Sequence, residues 1–105
     1  MKIKTSDLTL LALDWAAAKC EVGEDISEID DPHFYSTDWA IGGPIIEREG
    51  LLVRPSFTDE RDKWTSIQWA PKGVFESGPT PLVAAMRCYV ASVLGDEVDI
   101  PEELL

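Results

Sequence analysis

Histidine and cysteine are scarce in this 105-residue chain: His33 stands alone, and Cys20 and Cys88 are the two cysteines. A Ser-His-Asp or Cys-His arrangement would therefore have to be built on His33. No Gly-x-Ser-x-Gly, P-loop or dinucleotide fingerprint is present. The cysteines form no Cys-x-x-Cys, so a disulfide framework is not indicated, and both are expected as reduced, buried hydrophobes. Long apolar runs are missing too. None approaches the ~20 residues of a membrane span. Leu8–Ala18 is interrupted by Asp14 and followed by no cleavage pattern, so no signal peptide is expected. Bases are few: nine against twenty acids, a net charge of −11. That excludes a simple phosphate-binding surface, so nucleic acid is not an expected direct partner. Nor is a membrane, and no motif points to a cofactor or metal, so none is expected.

What is present is a globular composition, with 45% apolar and 28% charged residues and four tryptophans. The tryptophans argue against disorder. The length fits a single domain, residues 1–105. The charge is uneven. Glu21, Glu24, Asp25, Glu28, Asp30 and Asp31 follow one another without a base, as do Asp96, Glu97, Asp99, Glu102 and Glu103. These eleven equal the whole net charge. Two readings stand. One is a pair of solvated segments that aid solubility. The other is an acidic face, with Glu24, Asp25, Glu28, Asp30 and Asp31 at its centre, offered to a basic partner. His33 follows Asp30, Asp31 and Pro32. A metal site there gains no support from spacing, and a solvated loop histidine is the simpler reading.

Periodicity supplies the elements. Lys2–Thr5 fits an edge strand. Leu8, Leu11, Trp15 and Ala18, with Ala12 and Ala16 beside them, predict a helix over about 8–21. Ser6 or Thr9 can cap it, and Gly23 suits its end. Residues 22–35 read as acidic and turn-like. Ser36 or Thr37 can start a short helical turn that Gly42 ends, and Pro44–Glu49 reads as a second turn closed by Gly50. Leu51–Pro55 and Trp64–Ala70 read as strands, with Thr65, Ile67 and Trp69 on one face. Val74–Glu76 fits a third strand. Thr80 and Pro81 open the clearest helix, about 81–94, whose apolar stripe runs from Leu82 through Ala85, Met86, Tyr89, Val90, Val93 and Leu94. Arg87 lies off that stripe, and Gly95 ends the helix. The fold class expected is α+β: a small antiparallel sheet of three to four strands packed against two helices. Trp15, Met86 and Tyr89 would then pack on Ile67 and Trp69.

Three separated blocks carry a resemblance. They are Met1-Lys2-Ile3-Lys4-Thr5-Ser6-Asp7-Leu8 with Ala12-Leu13-Asp14-Trp15-Ala16; Ser36-Thr37-Asp38-Trp39-Ala40 with Gly42-Gly43-Pro44 through Gly50; and Gly78-Pro79-Thr80-Pro81-Leu82 through Val90. Their order and spacing resemble the NinX-like phage proteins along nearly the whole chain, least at 21–35 and 56–77. The resemblance implies a phage origin and the host bacterial cytoplasm. It implies no catalytic residues, since the family has no assigned activity.

The densest mix of polar function and permissive backbone is Asp38–Gly50. Asp38, Trp39, Gly42, Gly43, Glu47, Arg48 and Glu49 are therefore the candidate binding residues, against the alternative that Trp39 plugs the core and Gly-Gly-Pro turns the chain. The favoured function is a small acidic accessory protein that binds or inhibits a basic host protein without catalysis. The alternative is a small-molecule or metal-binding protein, or an enzyme, using Asp38–Gly50. Self-assembly is disfavoured by repulsion between copies.

Overall fold

The computed structural model describes residues 1–23, 34–57, 60–69 and 73–105. Strand β1 (Lys2–Lys4) and a 3-10 turn (Thr5–Asp7) lead into helix α1 (Leu10–Val22). Helix α2 (Trp39–Glu49) is followed by strands β2 (Leu52–Pro55), β3 (Trp64–Gln68) and β4 (Val74–Gly78). Helix α3 (Pro81–Leu94), strand β5 (Glu97–Asp99) and a last 3-10 turn (Glu102–Leu104) complete the order. Strands β2-β3-β4 form one antiparallel sheet, and β1 pairs antiparallel with β5 in a second, two-stranded one. The fold is thus α+β, with three helices among the described residues.

Helix α3 is the hub. The Thr80 hydroxyl accepts from Val83 N at 3.1 Å, Pro81 occupies the first turn and Gly95 closes the helix. It packs on all three strands of the larger sheet and also on α1 and α2. Ala84 through Ala91 are all buried, so α3 lies inside the domain rather than on it. Leu13, Ile45, Met86 and Val90 are core residues at or near zero exposure. Each contributes about 1.5–3 kcal/mol by leaving water.

Three expectations are corrected. First, Gly42 does not end a turn and Pro44 does not begin one, for α2 runs unbroken through both. Asp38 caps it, accepting from Ala40 N at 2.9 Å. Pro44 would otherwise need the Ala40 carbonyl, which lies at an exposed residue where water replaces the lost bond. Second, α1 does not bury Leu11, which is exposed. Its buried face is Leu13 with Ala12, Ala16 and Ala17, three small side chains that let it approach its neighbours closely.

Third, the larger sheet turns its other face inward. Ser66 and Gln68 are buried, whereas Trp69 is 72% exposed and Ile67 points outward. The packing of Trp15, Met86 and Tyr89 on Ile67 and Trp69 is therefore not formed. The cause lies on β4. A Cβ at Gly78 would stand 2.7 Å from Ala84 N, so β4 meets α3 backbone to backbone there. That contact sets the phase of β4. Through Trp64↔Gly78 and Ser66↔Glu76, the register passes the same phase to β3. One consequence is measurable. The Ser66 hydroxyl is buried with no strong hydrogen bond, the weakly bonding Cys88 thiol being its polar neighbour. Ser66→Ala is expected to raise stability by about 1 kcal/mol, read as a higher urea midpoint at unchanged slope.

Candidate functional site

Helix α2 places the expected site residues at two separate ends. At its start, Asp38 is committed to the cap, and Trp39 is 55% exposed rather than plugging the core. A Cβ at Gly42 would lie 2.5 Å from the Tyr35 carbonyl oxygen and 2.7 Å from Leu82 Cδ1, so glycine here permits α2 to close on the start of α3. Gly43 lies beside the Trp39 ring. Trp39, Ser36, Thr37 and Thr80–Val83 line a hollow of about 240 Å³ between the two helix starts.

At the other end of α2, Arg48 is a tie. Its Nη1 and Nη2 donate to the two carboxylate oxygens of Glu21 at 3.0 and 2.8 Å, and its Nε donates to Glu49 at 2.9 Å. The Tyr89 hydroxyl donates to the same Glu21 carboxylate at 2.7 Å, and Arg48 lies over the Tyr89 ring. The bond from Arg48 holds the Glu21 carboxyl below its usual range, while burial pushes the Tyr89 hydroxyl up. Burial, with Glu21 nearby, pushes the Cys20 thiol up to about 12, which keeps it protonated. Arg48 and Glu49 therefore join α1, α2 and α3, and Glu47 stands exposed beside them. Asp38 and Arg48 stand about 15 Å apart along the helix.

Glu24, Asp25, Glu28, Asp30, Asp31 and His33 lie outside the described residues. The second acidic run is only partly an acidic surface. Asp99 accepts from the Met1 ammonium at 2.8 Å, and Asp99 and Glu97 stand in register with Lys2 and Lys4 of β1, so bases surround this part of the run, while Asp96, Glu102 and Glu103 are exposed. Among the described residues no three His, Cys, Asp or Glu side chains are placed to hold a metal ion. Cys20 and Cys88 are free thiols.

Two features escaped sequence reasoning. Arg87 is 4% exposed. Its Nε donates to the Leu8 carbonyl at 2.9 Å and its Nη1 to the Ser77 carbonyl at 2.8 Å, with Asp62 at 3.9 Å. It ties the chain before α1 to β4. The second is a hollow of about 300 Å³ at the start of α1, lined by Ile3, Leu8, Leu10, Leu11, Leu104 and Leu105, with Asp7 as its charged lining residue. Leu10 is 74% exposed and adopts φ +53°, a left-handed conformation that costs a leucine about 1–2 kcal/mol. The alanines at 12, 16 and 17 were the legible signal that α1 would turn its leucines at 10 and 11 elsewhere.

These features define a small α+β domain that presents apolar and charged surfaces around a buried central helix. No helix among the described residues is long and apolar enough to cross a membrane. The family model described as Bacteriophage P22, NinX matches residues 4–93, and the chain belongs to this family of phage proteins. No curated protein matches it.

Proposed function

We propose that the chain is a non-enzymatic accessory protein that binds, and by binding inhibits, a basic protein in the cytoplasm of the bacterial host. The observation that carries this reading is the leucine-lined hollow at the start of α1. Leu10 and Leu11 are held out of the core, one of them at a backbone cost, beside Leu104 and Leu105. Strain of this kind persists where the surrounding structure enforces it, and exposed apolar patches mark contact surfaces. Carboxylates accompany the leucines: Asp7 lines the hollow, and the exposed Glu102 and Glu103 directly precede Leu104. Apolar anchors among acids fit a basic amphipathic segment, and the net charge of −11 speeds its approach.

The test is capture from host lysate on immobilised wild-type protein and on a Leu10→Ser/Leu11→Ser variant. The expected result is one basic host protein, held at low salt, released at high salt and lost from the variant, whose thermal unfolding shows it to be folded. Equal capture by both proteins, or capture indifferent to salt, overturns the reading, as does no specific capture. A second reading, a small-molecule or metal site or an enzyme at Asp38–Gly50, is supported by the hollow beside Trp39. It predicts a thermal shift with nucleotides or divalent cations, and a flat screen removes it.

A further inference from the structure

The outer face of the larger sheet is apolar and faces away from α3. Cross-strand register puts Leu52, Ile67 and Phe75 side by side in one row. Phe75 is 68% exposed, Leu52 is also exposed, and Trp69 extends the row along β3 with most of its ring uncovered. The next row at the other end is Arg54, Thr65 and Ser77. A surface sheet ordinarily wets its outer face with polar side chains, but this one is apolar there as well as on the inner face, where Val53 and Val74 pack against the core. Phe75 and Trp69 stand outside, while Trp64 shares the inner face with Ser66 and Gln68.

We propose that this face pairs with the same face of a second copy, giving a two-fold dimer whose two sheets stack. Charge selects the occupant. The three strands carry Arg54 and Glu76 as their charged residues, so the sheet is neutral within a chain of net charge −11. A basic partner gains nothing by meeting a neutral sheet. A second copy meets it without opposing acid to acid, and charges farther off than the ~8 Å screening length at physiological salt repel weakly.

The pattern is also self-complementary. An axis along the Leu52–Ile67–Phe75 row stacks that row on its own copy, about 10 Å away as in packed sheets. The same axis lays Trp69 of the second copy over Thr65, between Arg54 and Ser77. The Arg54 guanidinium then lies within reach of that indole face, a favourable cation–π arrangement. Each subunit makes this contact once, as an isologous interface requires. This surface is separate from the leucine-lined hollow, so the two proposals stand or fall independently.

Sedimentation equilibrium of the full chain from micromolar to millimolar concentration tests the inference. The expected result is a monomer–dimer equilibrium that tightens as salt rises, because salt screens the residual repulsion and leaves the apolar contact. Phe75→Asp is expected to give a monomer throughout, with an unchanged unfolding midpoint at low concentration because Phe75 supports no core packing. Arg54→Ala is expected to weaken the dimer about fivefold, the size of one cation–π contact. A wild-type monomer at every concentration overturns the proposal. So does a dimer that Phe75→Asp leaves intact.

Discussion

Arg87→Met is expected to cost about 3–5 kcal/mol of folding stability. The guanidinium sits on the buried hub helix and serves two carbonyls far apart in sequence, Leu8 and Ser77. Methionine fills much of the volume but donates nothing. Both carbonyls lose their donor, and the Asp62 carboxylate, which is largely shielded from water, loses a neighbouring cation. Burial disfavours the charge and pushes the Arg87 pKa down, while Asp62 and Glu76 oppose that shift. Arg87→Lys keeps the cation but not the two-pronged reach, so it is expected to recover only part of the loss. Urea unfolding of the three proteins reads the effect directly. For domains with a typical total stability of about 5–15 kcal/mol, a loss below about 1 kcal/mol for Arg87→Met would show that water reaches both carbonyls.

The second large effect is expected at Asp14. This carboxylate on α1 is 5% exposed and accepts two bonds at one oxygen, from Ser36 N at 2.8 Å and from Ser36 Oγ at 2.7 Å. Those bonds pin the chain that enters α2 onto α1. Asp14→Ala leaves a buried amide and hydroxyl without their acceptor, at a cost of about 2–4 kcal/mol. Asp14→Asn keeps a carbonyl oxygen as acceptor and is expected to cost about half as much. Amide hydrogen exchange separates local from global loosening. The Ser36 amide is expected to lose its protection first, and uniform loss across all helices would point to a purely global role.

Much of the fold was legible because local chemistry and tertiary structure agreed. Thr80 and Pro81 at the start of α3, Gly95 after it and Gly23 after α1 act within one turn of chain. The strands near 52–55, 64–68 and 74–78 were also readable from their composition and the turns between them. Helix α2 was not. Gly42, Gly43 and Pro44 are breakers by local rule, yet the Asp38 cap and the close fit of Gly42 against Tyr35 and Leu82 outweigh them. With the helix continuous, the residues that looked like one cluster in sequence are carried to opposite ends. Asp38 becomes a cap, and Arg48 becomes a tie to Glu21 and Tyr89.

The sequence by itself determined the α+β character of the fold, its excess of acid and its place among the phage NinX proteins. Each of these depends on composition, on local periodicity or on residue order. Tertiary structure alone decided which sides face out. A strand's two faces differ by one residue of register, and the choice for β3 was made on β4, where Gly78 touches the backbone of α3. The choice for α1 was made by alanines that pack closer than leucines can. Likewise, Asp99 meets the Met1 ammonium, and Glu97 and Asp99 stand opposite Lys4 and Lys2, because β1 and β5 pair. A surface is formed by elements that meet only after folding. The leucine-lined hollow and the bare sheet face therefore emerge from packing and not from any single segment.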